Sequence, residues 1–187
     1  MNKFMKICSA LAVSICFMLA LVSCKSETFY NEWSAAGAKI EEKNCFKLLT
    51  VDEVVAKREA KENFVIFIGA SALQTTTNQT AVDKVSEIQA EADAVDYTDY
   101  VYFVNAKDAM LSLTEQKNMK EKLKVNEISD SYGLVCVSYI KGDVYFDTSA
   151  IKGNNVPDNL KRFVVEGSQI SFKALANYVF ENYPVTE

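Results

Sequence analysis

The sequence predicts an α/β domain in which a mixed central sheet, in the element order βαβαβαββα, is covered by helices on both faces. Three observations carry this reading. The run Phe64-Val65-Ile66-Phe67-Ile68 is continuously aromatic and β-branched, the pattern of a strand buried on both sides. Segments with apolar residues every three to four positions separate the early strands, which must therefore pair in parallel. Later, Leu134 to Ile140 and Val144 to Phe146 are joined only by Lys141-Gly142-Asp143, a tight hairpin in which Gly142 supplies positive φ.

Taken in order, Phe46 to Leu49 is a short first strand. Thr50 with Glu53 three residues later forms a capping box, and Leu49 with Val54 are placed to staple the turn, so a helix starts at Val51 and runs to about Glu62. Gly69 ends the buried strand. The polar stretch Gln74 to Gln79 leads to a helix opened by Thr80 and Asp83, with Val82, Val85, Ile88, Ala92 and Val95 on its inner face. Tyr100 to Val104 reads as the next strand, and its aromatic set Tyr97, Tyr100, Tyr102 and Phe103 fits half-buried alternation as well as a binding surface. Ser112 and Glu115 open a charged helix to about Lys124, with Met119 and Leu123 inward. Beyond the hairpin, Thr148 to Gln169 holds Gly153, Asn154, Asn155 and Pro157 and is irregular. Ser171 caps a last helix, with Phe172, Leu175, Ala176, Val179 and Tyr183 inward and Pro184 as its stop.

Ahead of the domain, Lys3 and Lys6 precede an uncharged, mostly apolar run from Ile7 to Val22, shorter than the ~20 residues a spanning helix needs. It closes on Leu21-Val22-Ser23-Cys24, which resembles the lipobox of bacterial lipoproteins. The resemblance implies cleavage before Cys24, a diacylglycerol on its thiol and an acyl chain such as palmitate on its amine. Two or three chains give a lasting anchor where one alone holds marginally. An ordinary signal peptide and an uncleaved anchor are the other readings of this segment. The expected organisation is residues 1–23 as signal peptide, 24–44 as a lipid-anchored tether, and 45–187 as the domain, lying at the cell membrane on its extracytoplasmic side. Within the tether, Phe29, Tyr30 and Trp33 either pack on the domain or sit at the membrane interface.

Composition excludes much chemistry. The 187 residues contain no histidine, which removes Ser/His/Asp and Cys/His nucleophile pairs and every histidine-bearing metal site; no metal or cofactor is expected. Without residues 1–23 the chain has 18 basic and 25 acidic residues, a balance of −7. Nucleic acid is therefore not an expected partner, because phosphate neutralisation needs clustered Lys and Arg. Lys117, Lys120, Lys122 and Lys124 alternate with Glu115 and Glu121 as a solvated helical face. Asp143 and Asp147, or Glu91, Asp93 and Asp96, are read as solvated charges in preference to paired catalytic acids. Past Cys24 only Cys45 and Cys136 remain, 91 residues apart, and nothing in their spacing brings them together. Cys136, in an apolar run, reads as a buried inert thiol.

The element order, the strand Phe64-Val65-Ile66-Phe67-Ile68 and the turn Tyr139-Ile140-Lys141-Gly142-Asp143 together resemble thioredoxin over about residues 45 to 183. The phrase Asn63 to Gly69 is similar to thioredoxin-like and bacteriocin accessory-type proteins of Gram-positive bacteria. That likeness implies a dithiol on a helix N-terminus, where the dipole and backbone N–H groups lower a thiol pKa. Ala72-Leu73-Gln74-Thr75 stand where the Cys-x-x-Cys pair would lie, and no cysteine occurs between Cys45 and Cys136. The family's cis-proline is also missing, Gly133 or Leu134 standing nearest. The implied protein is a redox-silent member without catalytic residues, in which Thr76, Thr77, Asn78, Gly133 and Leu134 form a candidate ligand-binding loop. A run of hydroxyls and amides there can cap the helix or bind an anion through free N–H groups. The expected function is a binding or accessory module for exported proteins or peptides. The alternatives are a thiol-disulfide oxidoreductase using Cys45, Cys136 or both, and a structural surface lipoprotein.

Overall fold

A computed structural model describes residues 29–71, 76–129, 133–165 and 169–183. Helix α1, described over residues 29–35, is followed by β1 (Phe46–Leu48), α2 (Val51–Glu59), β2 (Phe64–Gly69), α3 (Thr76–Ala94) and β3 (Val101–Asn105). Then come α4 (Lys107–Met110), α5 (Leu113–Leu123), β4 (Val135–Ile140), β5 (Asp143–Asp147), two single 3-10 turns at Thr148–Ala150 and Lys161–Phe163, and α6 (Phe172–Asn182). The sheet has the order β1-β3-β2-β4-β5. Both β1 and β2 run parallel to β3, whereas β4 is antiparallel to β2 and to β5. The α/β class and the mixed sheet thus match the sequence expectation.

Side-chain alternation on the central strands builds two cores. Val65, Phe67 and Cys136 face a layer containing α1, α3 and α6, while Phe64, Ile66, Ile68, Val135 and Val137 face one containing α2 and α5. With helices on both sides, every residue of β2 is buried. The hairpin turns through Lys141 at φ 53° and Gly142 at φ 82°, the paired left-handed conformation of a two-residue turn that follows strand twist. Arg58 ties this turn to α2 by donating from Nε to the Gly142 carbonyl at 3.1 Å, and its Nη1 donates to the Lys122 carbonyl at 2.6 Å.

Several expectations change. Of the two readings for the aromatics of residues 24–44, packing on the domain is the one seen for Phe29 and Trp33, which stand one helical turn apart and are each 1% exposed. Phe29 stacks on Phe46 at 4.6 Å and Trp33 meets Phe103 edge-on at 5.4 Å, so the domain begins before Cys45. Helix α3 starts at Thr76, upstream of the Thr80 and Asp83 signal, and Val95 lies outside it, 54% exposed. Asp147 is not solvated. It is 5% exposed and accepts hydrogen bonds from the Asn126 and Ser149 backbone N–H groups, both at 2.8 Å, and from their side chains. The irregular segment after β5 is pinned by Leu160 and Phe163, which are buried, with Phe163 against Tyr178 of α6. Pro184 lies outside the described residues. Among the described residues, no helix is long and apolar enough to cross a membrane.

Candidate functional site

In open α/β sheets ligands gather where parallel strands end and the chain leaves in different directions, because loops there leave a crevice. Here that place is the carboxyl end of β2 and β3. Strand β2 runs through Gly69 to Ala70 and Ser71, both buried, and α3 begins at Thr76. The backbone of the loop before β4 is pressed against this helix. A Cβ on Gly133 would stand 2.5 Å from the Ala81 nitrogen and 2.9 Å from the Thr80 carbonyl carbon, and Gly133 has φ +81°. A Cβ on Gly69 would stand 2.3 Å from Cδ2 of Leu134, so that glycine admits the leucine over the strand end.

A polar trio closes the strand ends. Asn105 donates from Nδ2 to Oε2 of Glu32 at 2.8 Å, and Ser71 points its hydroxyl at the same carboxylate oxygen at 3.5 Å. The other end of the Asn105 amide accepts the Lys107 N–H at 2.9 Å, which starts α4. Asn105 also lines a groove of about 540 Å³ between the start of α2 and the α4–α5 arm, edged by Asp52, Asp108, Glu115, Glu121 and Lys122. Sequence reasoning missed Glu32 and Asn105. Asn at a strand end before a helix is a local turn signal, but Glu32 meets its partner 73 residues away and had no signal of its own.

Of the residues singled out from the sequence, Cys24 and Ala72, Leu73, Gln74 and Thr75 lie outside the described residues. Thr76, Thr77 and Asn78 form the first described turn of α3, at the strand ends, and nothing is described of their side chains. Gly133 lies against Thr80 and Ala81 of that helix, and both it and Leu134 are buried, Leu134 completely, so they shape the strand ends without presenting a side chain to a ligand. The acidic groups do not pair: Glu91 bridges Lys173 at 2.9 Å, and Asp93 accepts from Gln89 at 2.8 Å. Among the described residues no cluster of three or more Cys, Asp or Glu suits a metal ion.

Neither cysteine is at this site. Cys45 and Cys136 are free and buried. Burial first, and then the Asp93 carboxylate, push the Cys45 thiol far above its ordinary range; burial and then Asp147 do the same to Cys136. Cys45 precedes edge strand β1 while Cys136 lies on β4, with β3 and β2 between. Three strand spacings amount to about 14 Å, whereas a disulfide needs Cα atoms within about 7 Å. Among the described residues the site offers hydrogen bonds and shape, and no thiol stands in it. No protein-family model matches this chain, and no curated protein matches it significantly.

Proposed function

We propose that this chain is a membrane-anchored extracytoplasmic lipoprotein whose thioredoxin-like domain is redox-silent and serves as a binding or accessory module for exported proteins or peptides. The strand order, with three parallel strands followed by an antiparallel pair, supports the thioredoxin-like reading. One observation carries the proposed loss of redox chemistry: the two thiols of the domain are free, buried and apart, Cys45 just before edge strand β1 and Cys136 on β4, and burial raises the pKa of both. The membrane anchor rests on the lipobox-like segment ending at Cys24. An extended segment of a partner would use backbone groups and the half-buried Glu32 and Asn105 side chains at the strand ends, which the buried Ser71 hydroxyl backs.

Thiol titration of the chain from Lys25 onward, with and without prior reduction, tests the reading. Two thiols that react only on the timescale of unfolding, in equal number under both conditions, are the expected result. One fast thiol of lowered pKa, or two thiols appearing only after reduction, would favour an oxidoreductase working through Cys45 or Cys136. Fatty-acid labelling in cells of the full chain and its Cys24→Ala variant tests the anchor, since only the former should carry label.

A further inference from the structure

We infer that the corner between α4 and α5, led by Leu111 and Leu113 and backed by the lysines of α5, is a lipid-facing surface that seats the domain on an anionic bilayer. The inference rests on the proposed acylation of Cys24. Two of the largest exposed apolar side chains in the described residues are Leu111 at 72% and Leu113 at 84% exposure, and they are separated by one residue. Neither touches either core, and the helix cap at Ser112 between them holds both outward. Leu113, Lys117, Lys120 and Lys124 recur at intervals of three and four, so an apolar head continues into a basic stripe along one face of α5 and its cap. Lys117 and Lys120 meet only exposed carboxylates, Glu121 at 3.8 Å and Glu127 at 2.8 Å, pairs weak enough to be exchanged for phosphate oxygens. Leucines flanked by lysines whose stems are apolar and heads charged are the composition of a membrane-interface contact.

Chain length says which occupant this surface meets. Phe29 is fixed in the core, and five residues from Cys24 to Phe29 reach at most about 18 Å however they are arranged. A domain on so short a leash rests against the bilayer that holds its acyl chains. Glu32 of α1 and Lys107 at the start of α4 share Asn105 as hydrogen-bond partner, so α1 passes the carboxyl end of β3, where the arm that carries the Leu111 corner begins. At this distance from the membrane the tether supplies a high effective concentration, so a small contact suffices to orient the domain.

The test couples Cys24 chemically to maleimide lipid in vesicles of phosphatidylglycerol and phosphatidylcholine, which the buried Cys45 and Cys136 do not disturb. A tryptophan placed by Leu113→Trp should shift to the blue and be quenched by nitroxide-labelled lipid several-fold more than one placed by Val165→Trp, an exposed site elsewhere. Lys117→Glu with Lys120→Glu should remove that difference, with the near-ultraviolet circular dichroism of the fold unchanged. Equal quenching at both sites, or none at either, overturns the inference and leaves the corner to a protein partner. Because coupling here is chemical, failure of fatty-acid labelling in cells would count against the lipoprotein reading alone.

Discussion

Gly133 and Ala81 touch backbone to backbone: a methyl group on Gly133 would stand 2.5 Å from the Ala81 nitrogen, closer than any real contact. The same residue has φ +81°, which side chains resist. The contact locks the loop before β4 onto the first turns of α3 at the candidate site. Gly133→Ala should therefore destabilise the domain by about 2–4 kcal/mol, from left-handed strain plus displacement of α3. Gly153→Ala, also at positive φ but with nothing within 4 Å, should lose only about 1 kcal/mol. Urea unfolding of the two variants separates the contributions, and equal losses would contradict the close packing.

Phe29 and Trp33 make a different prediction, about where the domain begins. Trp33→Ala should destabilise it by about 3–5 kcal/mol, because an aromatic buried among aromatics leaves a cavity. A chain starting at Cys45 should unfold without a cooperative transition, while one starting at Lys25 should keep it. Thermal melts followed by circular dichroism distinguish these outcomes.

Asp147→Ala should cost about 2–4 kcal/mol, since it removes the acceptor of the buried Ser149 N–H and of the part-buried Asn126 N–H. Thr50→Ala, which removes an exposed capping box, should cost only about 1 kcal/mol. The order of the two, read from urea midpoints, is the test.

Alkaline pH should unfold the protein through its thiols. Cys45 and Cys136 stay protonated in the fold at pH values where an unfolded chain, with thiols near the ordinary value of about 8.5, has released its protons. The unfolded state then binds fewer protons than the folded one, so stability is complete below about pH 8 and declines as pH rises. The slope is at most about 2.7 kcal/mol per pH unit for the two thiols together. Tyr139, whose phenol is also pushed up by burial, steepens the loss above about pH 10. Urea midpoints from pH 7 to 10 should fall for the native chain and stay nearly level when Cys45→Ala and Cys136→Ala are combined.

Much of the scaffold was legible because local rules and burial agree. Thr50 and Glu53 form both halves of the capping box that their spacing implies, and Ser112 and Ser171 cap α5 and α6. The Phe64 to Ile68 run is the buried central strand, and Lys141-Gly142 turns the hairpin. What sequence patterns did not disclose depends on partners far along the chain. Phe29 and Trp33 look like isolated aromatics in a polar stretch until Phe46 and Phe103 are beside them. Glu32 becomes part of the candidate site only through Asn105, and Asp147 is buried only because Asn126 and Ser149 surround its carboxylate. The short α4 has no apolar period to announce it, being a single turn that follows the Asn105 bond to the Lys107 N–H.

The most direct test of a scaffold without a redox couple is insulin reduction by the chain from Lys25 onward in the presence of dithiothreitol. The account predicts that insulin precipitates no sooner than with dithiothreitol alone. Precipitation accelerated in proportion to protein concentration, and lost in Cys45→Ala or Cys136→Ala, would contradict it.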